Sequence, residues 1–263
     1  CAEAQGRCAD ALWLSHPIGA MECSKSKGAN WRAGMWTEVT MLLKAVFWDL
    51  DGTLIDSEPL WHDGEIEIAH NNGGEWNEDL GWECSGTPVP HVAEVMIAHG
   101  CTLSVPEIDK QLKDYVFKAE VERLPWIPGV QDVLHSLKEA DIPSMLVTTS
   151  PRRMAENIMK QADGLLAGYV CGDDPYEHKP SPAPYLAAAE RLGIAPEDMV
   201  KCVVMEDSSS GLRSGAASGA TLIAQTGWIR TDTSGLGQFA SIDSYEGIDA
   251  AALDAFVRQR LGE

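Results

Sequence analysis

Five short apolar runs stand out along the chain, and four of them alternate with segments of helical periodicity. Runs of about four to eight apolar residues between polar or glycine-rich turns are typical of strands buried on both faces. Strands that alternate with helices form parallel sheets with right-handed crossovers. The pattern therefore predicts an α/β fold whose strands lie at residues 45–48, 143–147, 168–171, 201–205 and 220–224.

The stretch 57–123 has helical periodicity and no strong strand pattern. One helix start in it is marked by Ser104 and by Glu107 three residues later, which is the spacing of a capping box. Because this stretch interrupts the alternation directly after the first strand, we predict an inserted all-helical cap domain over the strand ends. The predicted catalytic core then comprises residues 41–56 and 124–263.

Residues 1–40 have neither a strand period nor a helix period. They carry four basic and four acidic residues, so the whole formal charge of −20 lies in residues 41–263. We interpret residues 1–40 as an N-terminal extension that belongs to neither predicted domain.

The composition narrows the partners that the protein can have. A net charge of −20 argues against nucleic acid and against an anionic membrane surface, because like charges repel. No apolar run reaches the ~18 residues of a membrane span. The seven cysteines are irregularly spaced and form no Cys-x-x-Cys pair, which argues against disulfides and zinc and favours a reducing cytoplasm.

Two aspartates, Asp49 and Asp51, follow the first predicted strand, and Gly52 then allows a sharp turn. Side chains two residues apart in an extended backbone point the same way, and open α/β sheets bind ligands at the carboxyl ends of their strands. Two close carboxylates repel each other, so the arrangement favours a bound cation or a shared proton. The alternative is an ordinary Asp-Gly turn with both acids in water.

Polar residues also follow other predicted strands. Thr148 and Thr149 follow the second strand, Lys179 lies in a proline-rich loop, and Glu206 and Asp207 follow the fourth strand. Taken singly, such residues also occur as helix caps, as solvated lysines and as acids at a helix N-terminus. A parallel sheet brings its strand exits to one edge, so we predict one crevice that combines carboxylates, hydroxyls and a lysine.

This combination of side chains suits phosphoryl transfer with a bound metal ion. Oxygen-only ligands favour a hard cation such as Mg²⁺, which would neutralise the acids and admit a phosphate dianion. The predicted protein ligands are Asp49, Asp51 through its main-chain carbonyl, Asp207 and Glu206, the last as a ligand or as an orienting group.

The same residues predict the steps of the reaction. Lys179 and Thr148 would hold the phosphoryl oxygens, with backbone N–H groups near Thr149 assisting. Asp49 would attack phosphorus in line, as nucleophilic carboxylates do. Asp51 would protonate the leaving oxygen and then take a proton from the hydrolytic water. The predicted partner is a small-molecule phosphate ester.

These residues stand in the order of the four motifs of the haloacid dehalogenase superfamily, which the chain resembles over about residues 44–225. The matching segments are Asp49-Leu-Asp-Gly-Thr, Thr148 after a strand, Lys179-Pro and Glu206-Asp207-Ser. The resemblance implies a three-layer Rossmann-like core, a helical cap, Mg²⁺ and an aspartyl-phosphate intermediate. It implies Asp49 as nucleophile, Asp51 as acid and base, Thr148 and Lys179 as phosphate-binding residues, and Asp207 as a metal ligand.

Members of that superfamily differ at positions that can be compared with this chain. Haloacid dehalogenases lack the second aspartate, so Asp51 favours phosphoryl chemistry. β-Phosphoglucomutase-like enzymes carry a histidine where this chain has Trp61, and use a cap cation that the loop 85–91 lacks. The segment 55–61 resembles sugar-phosphate phosphatases of the 2-deoxyglucose-6-phosphate type. The resemblance thus implies a phosphomonoesterase, with a phosphomutase or a non-catalytic binding protein as the alternatives.

A cap that closes over the leaving group is expected to set substrate specificity. The candidate residues are Glu58, Trp61, Glu65, Thr87 and His91. Trp61 fits the core of the cap equally well. One position departs from the family pattern, because Ala183 stands where relatives often carry an aspartate that supports the lysine loop.

Overall fold

A six-stranded sheet forms the centre of the protein in this computed structural model, which describes residues 40–229 and 232–263. Its strands are β1 (Ala45–Trp48), β2 (Ser144–Val147), β3 (Gly168–Val170), β4 (Cys202–Glu206), β5 (Thr221–Gln225) and β6 (Ala240–Ile242). They are all parallel and follow the order β3-β2-β1-β4-β5-β6. The order reverses between β1 and β4, which is where open α/β sheets bind ligands.

Helices cover both faces of the sheet, because alternate strand residues face opposite sides. Val46 and Trp48 of β1 belong to one apolar core, and Ala45 and Phe47 belong to the other. The first core packs against α5 (Val130–Glu139), α6 (Arg152–Gln161) and α9 (Ala250–Leu261). The second packs against α7 (Ala183–Arg191) and α8 (Ser209–Ala217). These three layers confirm the predicted α/β fold.

Four helices between β1 and α5 surround a third apolar core. They are α1 (Glu58–Asn71), α2 (Glu78–Cys84), α3 (Val89–Ala98) and α4 (Val105–Glu122). Ala69, Met96 and Leu112 are fully buried in this core, and they come from three different helices. At the start of α4, the Ser104 N–H donates to Glu107 Oε2 at 2.8 Å, as the capping-box spacing predicts. The predicted helical cap is therefore present.

Strand β6, helix α2 and a 3₁₀ helix at Pro196–Lys201 have no counterpart in the predicted pattern. Strand β6 has three partly or fully exposed residues at the edge of the sheet, too few to give a periodic signal. Helix α2 is seven residues long and includes Gly81, which weakens a helical pattern. The predicted extension, residues 1–40, lies outside the described residues except for Thr40. Within the described ranges, no helix combines the length and the apolar character that crossing a bilayer requires.

A buried acid in α4 gives the fold a pH-dependent stability. Glu120 is fully buried, and neither carboxylate oxygen has a hydrogen-bond partner among the described residues. Burial, with a smaller contribution from the charge of Asp51, raises the pKa of Glu120 to about 8. The folded state therefore keeps a proton that the unfolded chain loses near pH 4.5. The contribution of Glu120 to stability falls as the pH rises from that value to about 8, because over this range its side chain binds fewer protons in the unfolded state than in the folded state.

We expect Glu120→Gln to remove this dependence. The difference in free energy of unfolding between variant and wild type should shift in favour of the variant by roughly 2–4 kcal/mol between pH 5 and pH 8. Urea denaturation at the two pH values measures the shift. Glu122→Gln, an exposed change on the same helix, is the control. A difference that is equal at both pH values would contradict a buried protonated carboxyl.

Candidate active site

The site lies at the carboxyl ends of three neighbouring strands in the middle of the sheet, β2, β1 and β4. Trp48, the last residue of β1, pairs with Leu146 of β2 and with Met205 of β4. The chain therefore leaves the sheet at similar heights in these strands. This register brings four of the predicted residues to one edge: Asp49, Thr148, Glu206 and Asp207.

Lys179 joins the groups at this edge through three hydrogen bonds. Its Nζ lies 2.5 Å from Asp49 Oδ1, 2.6 Å from Glu206 Oε1 and 2.8 Å from the main-chain oxygen of Val147. Burial alone would lower the pKa of Lys179, but the charges of the two carboxylates outweigh burial and raise the pKa. Lys179 is therefore a fixed, buried positive charge, and its three hydrogens are all used.

Glu206 is the fully buried partner of that lysine. Oε1 accepts from Lys179 and, at 2.8 Å, from the hydroxyl of Tyr185. Oε2 accepts from the N–H groups of Asp207 and Ser208, at 3.1 and 3.2 Å, and from the Ser208 hydroxyl at 3.1 Å. Both oxygens are thus already engaged. Tyr185 is not among the predicted site residues, because its only signal in the sequence is an inward position on α7.

Gly211 is the residue of α8 that allows Glu206 to occupy this position. A Cβ at Gly211 would lie 1.8 Å from Glu206 Oε1 and 2.0 Å from Oε2. Replacing glycine by alanine in a helix ordinarily stabilises it by about 1 kcal/mol. Here we expect Gly211→Ala to destabilise the protein by about 1–3 kcal/mol, because the carboxylate must move.

The same substitution should lower activity, because a displaced Glu206 no longer holds Lys179. We expect kcat/KM for an aryl phosphate to fall by about tenfold or more. Thermal melts and steady-state rates measure the two effects. Ser209→Ala, at an exposed position two residues earlier, is the control. A more stable and fully active Gly211→Ala protein would contradict this steric account.

Asp51 is held by two hydroxyl groups from different elements. Ser57, directly before α1, donates to Oδ1 at 2.5 Å, and Ser150, after β2, donates to Oδ2 at 3.1 Å. Burial raises the pKa of Asp51, and the two hydrogen bonds offset part of this increase. A carboxyl group that is oriented and that keeps its proton more readily than usual is suited to acid and base chemistry.

Three buried acids at the sheet edge form a group that can bind a metal ion. Asp49, Glu206 and Asp207 each offer one carboxylate oxygen, and these atoms lie within 4.8 Å of one another. Burial and the charge of Glu206 raise the pKa of Asp49 to about 8. Burial and the charge of Asp49 raise the pKa of Asp207 well above its usual range. A hard divalent cation fits, because the donors are oxygens and the single Lys179 does not balance three acids.

Two residues that follow Asp51 determine the position of Asp207. The Thr53 hydroxyl donates to Asp207 Oδ1 at 3.2 Å. Gly52 has φ +77°, and a Cβ there would lie 2.2 Å from Asp207 Oδ2. A glycine is therefore required at this turn both for its backbone conformation and for its lack of a side chain.

The two predicted threonines after β2 lie in different surroundings. Thr148 is buried, and its hydroxyl accepts from the Ser150 N–H at 2.9 Å. Thr149 is exposed and lines the cavity above Asp49 and Lys179. The side chain of Thr149 is therefore open to a ligand, whereas the Thr148 hydroxyl already accepts a bond within its own turn.

A cavity with a volume of about 400 Å³ lies between the strand ends and the helical cap. From the core it is lined by Asp49, Asp51, Thr149, Lys179, Ser208 and Ser210. Four of the five predicted cap residues line it: Glu58, Trp61, Glu65 and Thr87. His91 does not, because it lies on the exposed face of α3 near Glu94, while the neighbouring Val92 faces inward. Ser85 and Ser210 were missed, since isolated serines carry no pattern.

The lysine loop has a support in place of the side chain that Ala183 lacks. Ser214, buried in α8, donates its hydroxyl hydrogen to the main-chain oxygen of Ser181 at 2.6 Å. The hydrogen bond fixes the loop two residues after Lys179. A contact from α8 therefore anchors the loop without an acid at residue 183.

Known proteins are similar to this chain in sequence and in fold. A family model described as haloacid dehalogenase-like hydrolase matches residues 43–219. The phosphorylated carbohydrates phosphatase of Thermotoga maritima is 32% identical over 182 residues, which cover 67% of this chain and 82% of the relative. Hexitol phosphatase A of Escherichia coli is 31% identical over 186 residues, covering 70% and 83%. The crystal structure of CbbY from Rhodobacter sphaeroides in complex with phosphate is 25% identical, with a TM-score of 0.66 over 81% of this chain and 99% of that chain.

Proposed function

Because the chain belongs to the haloacid dehalogenase-like hydrolases, we propose that it is a Mg²⁺-dependent phosphomonoesterase acting on a small sugar-type phosphate. The observation that carries this proposal is the hydrogen bond between Lys179 and Asp49, at a cavity that Asp51 also lines. Relatives named for phosphorylated carbohydrates and for hexitols support the class of substrate.

In the first step, a carboxylate oxygen of Asp49 forms a bond to phosphorus while the bond from phosphorus to the alcohol oxygen breaks. Lys179 offsets the charge of the phosphoryl oxygens, and Thr148 and Thr149 assist in holding them. Asp51 gives its proton to the leaving oxygen, so the alcohol departs neutral. The product on the protein is an aspartyl-phosphate at Asp49.

In the second step, water attacks phosphorus and the bond from phosphorus to the Asp49 carboxylate breaks. Asp51 takes a proton from that water, so both aspartates return to their starting states and inorganic phosphate leaves. Ser57 and Ser150 keep the Asp51 carboxyl group in one orientation through both steps. The acid of the first step is therefore the base of the second.

We propose that Asp49 and Asp207 hold the Mg²⁺ ion, together with the main-chain carbonyl of Asp51. When bound, the ion supplies positive charge that offsets the buried acids and the phosphate dianion. Glu206 positions Lys179 in this proposal, since both of its carboxylate oxygens already accept hydrogen bonds. We further propose residues 57–123 as the cap domain and residues 41–56 and 124–263 as the catalytic core.

A panel of phosphate monoesters assayed with Mg²⁺ and with EDTA tests the proposal. We expect phosphate release in Mg²⁺, a loss of about 10²-fold or more in EDTA, and recovery when excess Mg²⁺ is added. Mg²⁺ should also raise the melting temperature of the wild type and not that of Asp207→Asn, which is a readout independent of turnover.

Each alternative function has its own outcome in these assays. Conversion of a hexose 1-phosphate into its isomer without phosphate release would indicate a phosphomutase. No Mg²⁺-stimulated hydrolysis over the whole panel would indicate a binding protein on this scaffold. Hydrolysis that EDTA does not affect would contradict the role given to the ion.

A further inference from the structure

Resting on the proposed hydrolysis, we propose that Glu58 and Glu65 select phosphate esters by the charge of the alcohol half. The pair accepts polyhydroxylated alcohols that are neutral or that carry an amine, and it rejects alcohols that carry a second phosphate or a carboxylate. Glu65 is the main specificity-determining residue of this pair.

The charges around the cavity are distributed unevenly between core and cap. Lys179 is the only Lys or Arg among the described residues that line the cavity, and it is bonded to core groups. The cap contributes Glu58 and Glu65, with the hydroxyls of Ser85 and Thr87 beside them. A substrate whose phosphate lies at Lys179 therefore presents its alcohol half to acids and hydroxyls.

Glu58 is held as a carboxylate. Ser85 donates to its Oε1 at 2.6 Å, and Nε2 of the buried His62 lies 3.2 Å from its Oε2. Burial alone would raise the pKa of Glu58, but these two interactions outweigh burial and lower it. Glu58 is thus an anion at neutral pH, with its position fixed from both sides.

Glu65 is nearly inaccessible to bulk solvent, with 4% of its surface exposed, yet it lines the cavity. The indole N–H of Trp76 donates to its Oε2 at 3.1 Å, and Oε1 has no hydrogen-bond partner among the described residues. An acceptor in this position suits a hydroxyl or ammonium donor of a substrate. An anionic group here would meet a second acid, Glu58, and no Lys or Arg of the described cavity lining other than Lys179.

Four sugar phosphates that differ in the charge of the alcohol half test the inference. Glucose 6-phosphate is neutral there, and glucosamine 6-phosphate carries an amine. 6-Phosphogluconate carries a carboxylate, and fructose 1,6-bisphosphate carries a second phosphate. Burial raises the pKa of Glu65 to about 7, so the assays run at pH 7.5, where its carboxylate form predominates. Competition between two substrates in one tube with Mg²⁺ gives the ratio of kcat/KM values, so the fraction of active protein cancels. We expect the amine-bearing ester to match or exceed glucose 6-phosphate, and both anionic esters to react about tenfold or more slowly.

Two variants link this selectivity to the cap. Glu65→Gln keeps the shape and removes the charge that Glu65 carries above its raised pKa of about 7, so the ratio of 6-phosphogluconate to glucose 6-phosphate at pH 7.5 should rise about tenfold. Thr87→Lys adds a cation at an exposed position of the lining and should raise the relative rate with the bisphosphate. Glu67→Gln, exposed on the same helix, is the control and should leave every ratio unchanged.

The outcomes separate this inference from the proposed function. Ratios that do not depend on substrate charge in the wild type, or that neither Glu65→Gln nor Thr87→Lys changes, overturn the inference while hydrolysis itself persists. Absence of hydrolysis with all four esters and with an aryl phosphate overturns the proposed function. If Glu65→Gln does not fold, the bisphosphate ratio of Thr87→Lys decides the inference.

Discussion

Asp49→Asn should fold normally and lose phosphatase turnover by about 10⁴-fold or more. An amide oxygen is a poor nucleophile, so the covalent step has no route in the variant. The fold should persist because the amide keeps the shape of the side chain, and Lys179 keeps its hydrogen bonds to Glu206 and to Val147. Stopped assays with an aryl phosphate measure the rate, and circular dichroism and thermal melts check the fold.

The proposed covalent intermediate would supply a second readout for the same residue. Rapid acid quenching of the wild type with substrate, followed by peptide mass spectrometry, should find one phosphoryl group on the peptide that contains Asp49. The peptide from the variant should carry none. Asp63→Asn, an exposed change on α1, is the control and should keep full activity. Turnover by Asp49→Asn close to that of the wild type would refute the nucleophile.

Lys179→Met should damage both stability and activity. The substitution leaves the buried carboxylates of Asp49 and Glu206 without their shared ammonium partner. Removing one member of a buried ion pair typically costs about 3–5 kcal/mol, because an uncompensated charge stays buried. In the proposed mechanism the phosphoryl oxygens also lose the one Lys or Arg among the described residues that line the cavity, so we expect kcat/KM to fall by about 10³-fold.

Urea denaturation and steady-state kinetics measure these two losses. Lys160→Met removes an exposed lysine of α6 and should change neither quantity. If unfolding precludes kinetics at 25 °C, assays at lower temperature with added Mg²⁺ keep the folded fraction high. A Lys179→Met protein as stable as the wild type would mean that the two acids do not require this lysine.

The candidate site residues at the carboxyl ends of the strands could be predicted, because each comes directly after a strand or lies in a short motif. A buried strand fixes where Asp49 lies, and strand order and register then bring Glu206 and Asp207 beside it. Lys179 was predicted from its motif, although it lies 130 residues from Asp49 along the chain. Local pattern and parallel topology were therefore sufficient for the groups proposed to react.

The residues that support those groups could not be predicted in the same way. Tyr185 contacts Glu206 across the packing of α7 on the sheet, and Ser214 reaches the lysine loop from α8. Such contacts depend on how helices pack in three dimensions, which hydrophobic periodicity does not specify. His91 illustrates the same limit. The sequence places it on α3 but does not specify which face of that helix lines the cavity.

The three hydrogen bonds that Lys179 already donates also matter for the release of phosphate after the proposed cleavage of the ester. An incoming or departing phosphate oxygen can pair with this ammonium only by replacing Asp49, Glu206 or Val147 as an acceptor. Exchanging one such bond for another yields little net affinity. In the proposed mechanism, a lysine that already donates three hydrogen bonds would bind free inorganic phosphate weakly, which would favour product release and limit inhibition by phosphate in the surrounding medium.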